Sequence, residues 1–170
     1  MPNRTLFVDM DGTIAVWRTV ANIEELFEKD FFRRRGCYDN VISAIKLLHD
    51  DYNVQLCVLS AYLEDSEYAV KEKNEWLDTH APFIDKRLFC PTHRSKFEVV
   101  KEVYGAFDKR SVILDDYSKN LHEWTGAGGT GIKLLNGVNG TNGTWTGPSV
   151  NRFYSPDSIA RSILEVLETL

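Results

Sequence analysis

Short apolar runs alternate along the chain with longer segments in which apolar residues recur every three or four positions. The runs are Leu6-Phe7-Val8, Asn53 to Leu59, Arg87 to Cys90, Ser111 to Leu114 and Gly131 to Leu135. Runs of this length without polar alternation match strands buried on both faces, as in a parallel sheet. The helical spacing predicts an amphipathic helix from about Val20 to Phe32 on Ile23, Leu26, Phe27 and Phe31. A second helix uses Val41, Ile42, Ala44, Ile45, Leu47 and Leu48, with Asp39 as its N-cap. A charged helix from about Ser66 to Thr79 carries Tyr68, Val70, Trp76 and Leu77. Ser95 reads as the N-cap of a helix on Phe97, Val99, Val100, Val103 and Tyr104, with Gly105 as its stop. A short helix at Leu121 to Trp124 precedes the fifth run, and Ser155-Pro156 opens a last helix on Ile159, Ile163, Leu164, Val166 and Leu167.

This alternation predicts an α/β fold: a doubly wound, mostly parallel sheet covered on both faces. Two helices between the first two strands are one more than a crossover needs. The first, with its flanks at about residues 15–38, is therefore expected to be a small helical cap within a single domain spanning 1–170. Between Asn136 and Gly147 the chain reads NGVNGTNGTWTG, which suits tight turns with positive φ. It fits a long glycine-rich loop or a small hairpin. It lacks the Lys-Ser/Thr that ends a phosphate-cradling loop, so a structural role is the simpler reading.

Composition narrows the partners. The chain has 170 residues and a formal net charge of -5, which implies no general affinity for nucleic-acid polymers or anionic membranes. A small anionic substrate would then need a local positive site or a metal. Cys37, Cys57 and Cys90 show no paired spacing, and the last two sit inside apolar runs as small buried hydrophobes. The first residues lead straight into a strand, with no signal-like stretch and no run of about 20 apolar residues. A cytoplasmic location is expected.

The chemistry collects at the strand ends, where a doubly wound sheet holds its ligands. Leu6-Phe7-Val8 runs into Asp9-Met10-Asp11-Gly12-Thr13, two carboxylates one residue apart followed by a glycine that frees the turn. Unpaired acids so close repel each other unless a cation lies between them or one holds a proton. The second strand delivers Ser60-Ala61, and a later one delivers Asp115-Asp116. Lys96 opens the helix before that later strand. Together these supply a nucleophile, an acid/base, a hydroxyl donor, a cation and metal-binding carboxylates, the set that phosphoryl transfer needs. Lys73, thirteen residues beyond Ser60, is the other candidate cation. It stands mid-helix among Lys71, Glu72 and Glu75, where a solvated face is the simpler account. Arg33-Arg34-Arg35 reads as a solvated turn or a phosphate contact.

Asp9-Met10-Asp11-Gly12-Thr13, Ser60, Lys96 and Asp115-Asp116 resemble the four motifs of the haloacid dehalogenase (HAD) superfamily of phosphohydrolases, over residues 5 to 117. The resemblance implies a Rossmann-like HAD fold with Asp9 as nucleophile and Asp11 as acid/base. It implies Mg²⁺ held by Asp9, the Asp11 backbone carbonyl and Asp116, with Asp115 as an outer or alternative ligand. Ser60, Ala61 and Lys96 would bind phosphate. Dehalogenases of the superfamily lack the second Asp, so Asp11 argues for phosphatase chemistry.

A narrower resemblance is to the 5'(3')-deoxyribonucleotidases of small bacterial and phage type. Trp17, six residues beyond Asp11, matches an aromatic that packs near the nucleoside in that group, and Phe31 and Phe32 are further candidates for the base. Two departures stand out: the Asp11-to-Ser60 interval is short for the mammalian type, which implies a reduced cap, and Ser60 replaces Thr. The implied substrate is a nucleoside monophosphate. The alternatives are another small phosphate ester such as a sugar phosphate, a non-catalytic HAD-fold binding module, and a phosphorelay receiver, whose adjacent acid pair comes early in the chain rather than late.

Overall fold

The computed structural model describes residues 4–138 and 144–170. In chain order its elements are β1 (Thr5–Val8), α1 (Asp39–Asp50), β2 (Gln55–Tyr62), α2 (Ala69–His80), β3 (Lys86–Pro91) and α3 (Lys96–Tyr104). They continue with β4 (Val112–Asp115), α4 (Ser118–Gly126), β5 (Thr130–Leu135), β6 (Ser149–Asn151) and α5 (Pro156–Glu168). The strands make one six-stranded sheet in the order β3-β2-β1-β4-β5-β6, and every pairing is parallel. The apolar runs are strands for the reason their composition implies. Leu6, Val8, Leu56, Val58, Val112 and Leu114 point to a core shared with α1, α2 and α5. Phe7, Cys57, Leu59 and Ile113 point the other way, to a second core with α3, α4 and Trp145. Burial on both faces leaves no solvated side to alternate against.

The strand order reverses at β1, which pairs with β2 on one side and β4 on the other. That reversal opens the crevice in which doubly wound sheets bind ligands. The register carries one step past the strand, since the Asp9 backbone N–H donates to the Leu114 carbonyl at 2.9 Å. The ends of β1 and β4 are therefore locked together.

Several local expectations need correcting. The predicted helix over Val20 to Phe32 is only a 3-10 turn at Ile23–Phe27, capped by Asn22 and burying none of its residues. Ile23 is 57% exposed. Asp30, at φ 67°, breaks any helical continuation, and Phe31 and Phe32 are buried by packing against α2 and Tyr62 instead. Asp39 is the first residue of α1 rather than its cap, which is Tyr38. The loop or hairpin expected between Asn136 and Gly147 has its middle outside the described residues, and only its flanks are seen. It leads to β6, which pairs parallel to β5 with Lys133 opposite Ser149. The pairs Asn139-Gly140 and Asn142-Gly143 lie outside the described residues. Among the described residues, no helix is long and apolar enough to cross a membrane.

Candidate active site

Asp9 follows β1 directly, and Gly12 turns the chain after it. Gly12 has φ 83°, and a Cβ there would lie 2.4 Å from the Asp116 carboxylate. Any other residue would strain the backbone and push away the end of β4. The Gly12, Thr13, Ile14 and Ala15 amides fold the turn back on itself, three of them onto the Met10 carbonyl. Met10 is fully buried and anchors the turn in the core.

Lys96, the first residue of α3, is buried between two carboxylates. Its Nζ donates to Asp9 Oδ1 at 2.5 Å and to Asp115 Oδ2 at 2.7 Å. The Glu98 carboxylate accepts from the Ser95 backbone N–H at 2.9 Å, the returning half of a capping box that fixes where α3 begins. Thr13 Oγ1 donates to the other Asp9 oxygen at 3.1 Å. Burial pushes the Asp9 carboxyl up to about 7; Lys96 opposes the shift, and Asp115 and Asp11 add to it. The Lys96 ammonium goes the other way, raised by Asp115 and Asp9 against the cost of burial.

Asp115 is spoken for on both oxygens: Oδ1 accepts from the Tyr117 N–H at 2.8 Å, and Oδ2 accepts from Lys96 and from Asn120 Nδ2 at 3.0 Å. Asp9, Asp115 and Asp116 are all buried, with one oxygen of each within 4.8 Å of the others. Three converging carboxylates against one ammonium form a donor set suited to a hard cation with oxygen ligands. Asp11 is not in that set through its side chain.

Asp11 instead meets Lys73, and here the sequence reading was wrong. Lys73 is 1% exposed, not part of a solvated face. Its ammonium bonds Asp11 Oδ2, Ser60 Oγ at 2.8 Å and the Ala61 carbonyl at 2.6 Å, and lies 4.6 Å from the centre of the Phe32 ring. Asp11 Oδ1 is buried with no hydrogen-bond partner among the described residues. Next to Lys73, the fully buried Glu72 accepts the backbone N–H groups of Asp30 at 2.6 Å and Phe32 at 3.1 Å. One turn of α2 thus grips both Asp11 and the segment after β1.

A cavity of about 360 Å³ joins these groups, at the small end of the range for ligand sites, about 300–1,000 Å³. Asp9, Asp11, Lys73, Asp115 and Asp116 line its polar end, while Trp17, Leu26, Phe32, Tyr62, Leu63 and Tyr117 make an aromatic and aliphatic wall. Of the residues expected to touch substrate, Trp17, Phe32 and Ala61 line the cavity. Phe31 does not. Its ring packs on Trp17 and Phe32, with the Arg35 guanidinium 3.8 Å from its centre. Ser60 is fully buried beneath Lys73. The arginine run divides: Arg33 and Arg34 pair with Asp30, and Arg33 also with Glu75, whereas Arg35 is buried against Trp17 and Phe31.

Sequence reasoning gave Thr13 no role beyond its place in the motif, and missed Asn120, Tyr117 and Asn136. Asn136 donates from Nδ2 to Asp116 Oδ2 at 2.9 Å and to the Gly12 carbonyl at 2.8 Å. Its only advance signal was its place as the first of the Asn-Gly pairs, immediately after an apolar run.

No curated protein sequence matches the chain significantly. Among solved structures, a D,D-heptose 1,7-bisphosphate phosphatase from B. bronchiseptica, complexed with magnesium and phosphate, superposes with a TM-score of 0.66 at 12% identity. The match covers 95% of this chain and 98% of that one. A predicted phosphatase from Clostridium acetobutylicum gives 0.67 at 13% identity over 96% and 99% of the two chains. A HAD-superfamily hydrolase from Ehrlichia chaffeensis gives 0.59 at 10% identity over 97% and 98%. At these identities the likeness is one of fold. A sequence-family profile described as "5' nucleotidase, deoxy (Pyrimidine), cytosolic type C protein" matches residues 17–142, beginning just past the Asp9–Thr13 turn. The chain belongs to this 5'-nucleotidase family, a family of phosphoric ester hydrolases, and its fold is that of the HAD-superfamily hydrolases.

Proposed function

We propose that the protein is a Mg²⁺-dependent phosphomonoesterase that works through an aspartyl-phosphate and takes nucleoside monophosphates. One observation carries the reading: the acids Asp9 and Asp11 and the aromatic wall of Trp17, Phe32 and Tyr117 share a single cavity. A phosphate at the acidic end and a flat base against the wall match that division, because aromatic faces favour planar, apolar partners. Residues at about 15–38 act in this reading as a small cap within one domain, holding Trp17 and Phe32 over the strand ends.

In the first step an Asp9 carboxylate oxygen attacks phosphorus, and the bond to the ester oxygen breaks as Asp11 gives that oxygen its proton. In the second, Asp11 takes a proton from water, whose oxygen attacks phosphorus and releases Asp9 and inorganic phosphate. Lys96 orients Asp9 and offsets charge on the phosphoryl oxygens, and Lys73 holds one oxygen of Asp11 while Ser60 and Ala61 place Lys73. A divalent cation held by Asp9, Asp116 and the Asp11 backbone carbonyl, with Asp115 beside it, would reduce the repulsion between a carboxylate and an anionic phosphate.

Asp9→Asn should leave a folded protein without turnover, and activity persisting in that variant would overturn the aspartyl-phosphate. A panel of phosphate esters tests the substrate: dUMP and dTMP should outperform sugar phosphates in kcat/KM. The reverse order would assign the site to sugar phosphates, and no hydrolysis of any ester with Mg²⁺ present would make the chain a binding module.

A further inference from the structure

Asn136 takes no part in the chemistry above, yet it is 1% exposed and every polar group of its side chain is committed. A primary amide offers two N–H hydrogens and one acceptor oxygen. Both donors leave β5 for other elements, one to the Gly12 carbonyl after β1 and one to Asp116 Oδ2 after β4. The acceptor Oδ1 takes the Val138 N–H at 2.8 Å, closing a short turn at Gly137. The network fixes which way the amide faces, since the flipped form would set its oxygen against two acceptors and its NH₂ against a donor. The Asn136 backbone carbonyl is held in turn by Arg152 Nε at 2.6 Å.

The contacts continue to the nucleophile. The Thr13 hydroxyl, whose one hydrogen goes to Asp9 Oδ2 at 3.1 Å, lies 3.5 Å from the other Asp116 oxygen. Asn136 thus holds one Asp116 oxygen, and the other lies beside the hydroxyl that bonds Asp9. Its carboxylate lies against the face of Gly12 that a Cβ would occupy. The charge type matters as much as the geometry. A lysine in place of Asn136 would offset Asp116 and oppose a cation, and an aspartate would repel it. A neutral amide orients the carboxylate without adding a charge of its own.

We propose that Asn136 is a positioning residue for the cation site, so that the end of β5 and the turn it opens set how tightly the metal is held. The inference rests on the metal-dependent reading above. It deepens that reading by assigning a role to a residue outside the four motifs. Partners of metal-binding carboxylates are worth about 10–100-fold in metal affinity.

The test is calorimetric titration of Mg²⁺ alone into wild type, Asn136→Ala and Asn136→Ser. Serine keeps a short side-chain oxygen for the Val138 N–H but cannot span to both Gly12 and Asp116. Both variants should bind Mg²⁺ about 10–100-fold more weakly than wild type, and activity should return toward the wild-type kcat when Mg²⁺ is raised to match. A packing role would lower thermal stability without moving the Mg²⁺ Kd of the folded protein. A Kd within about twofold of wild type in either folded variant overturns the proposal, as does failure of both variants to fold. Wild type that binds no Mg²⁺ would bring down the metal-dependent reading itself, a result separate from a normal wild type with unaffected variants.

Discussion

Two lysines approach the strand ends from opposite sides of β1, and they do different work. Lys96 comes from the start of α3 and lies between Asp9 and Asp115, at the ends of β1 and β4. Lys73 comes from α2 on the β2 side and holds Asp11 together with Ser60 and the Ala61 carbonyl. The first cation is bound to the residue proposed to attack, the second to the residue proposed to move the proton. The difference shows how two acids one residue apart acquire separate roles: each has its own buried cation on its own side of the strand. Neither lysine is exposed enough for water to blur the distinction.

Removing each lysine separates the two roles. Lys96→Met should lower kcat by about 10²–10³ on every ester, because charge stabilisation at the phosphoryl group is needed whatever leaves. Lys73→Met should slow formation of the aspartyl-phosphate, read in single-turnover kinetics, by about 10² on nucleotides, whose alkoxide leaving group needs a proton, and by less than about 10 on p-nitrophenyl phosphate, whose leaving group does not. Equal losses on both substrates for Lys73→Met would erase the distinction.

The Lys73 side also carries a structural duty that the Lys96 side lacks. Glu72→Ala would strand the backbone N–H groups of Asp30 and Phe32, at a cost of about 2 kcal/mol. Calorimetry should show a Tm lower by about 4–8 °C, and an unchanged Tm would mean that the segment after β1 is held by other contacts.

The smallest effect belongs to the Lys96 side and to pH. With the Asp9 carboxyl pushed up to about 7 by burial, protons compete with a cation for that carboxylate below this value and not above it. Apparent Mg²⁺ affinity should therefore fall by up to about tenfold per pH unit below about 7 and level off above it. A flat profile from pH 5 to 8 would remove Asp9 from the cation site.

The same two lysines measure how far the sequence could be read. Lys96 was legible because local signals surround it: a capping serine, the first turn of a helix and an apolar strand that ends in acids. Strands buried on both faces leave continuous apolar runs, so the sheet and the acids at its ends were legible as well. Lys73 was not, because helical periodicity assigns charged positions to water, and α2 turns two of its charged residues inward. What buries Glu72 and Lys73 is their partners, the Asp30 and Phe32 amides and Asp11, about 40 and 62 positions away in sequence. The converse error came at Val20 to Phe32, where a helical spacing of apolar residues had no core to face. Phe31 and Phe32 were buried by tertiary contacts that no local period encodes.

The turn that holds Asp116 also sets a chemical clock. Asn136 precedes glycine, the residue that least hinders attack of the next backbone nitrogen on the side-chain amide carbon. That attack expels ammonia and, after hydrolysis, leaves aspartate or isoaspartate. It requires the amide to swing free, and here Gly12, Asp116 and Val138 hold it at both ends. The folded protein should therefore deamidate at Asn136 far more slowly than its unfolded chain, as peptide mapping by mass spectrometry would read, and equal rates would contradict the restraint. A molecule that does lose this amide gains a carboxylate facing Asp116. Chemical ageing at this position would then appear first as a lost appetite for metal, before any loss of fold.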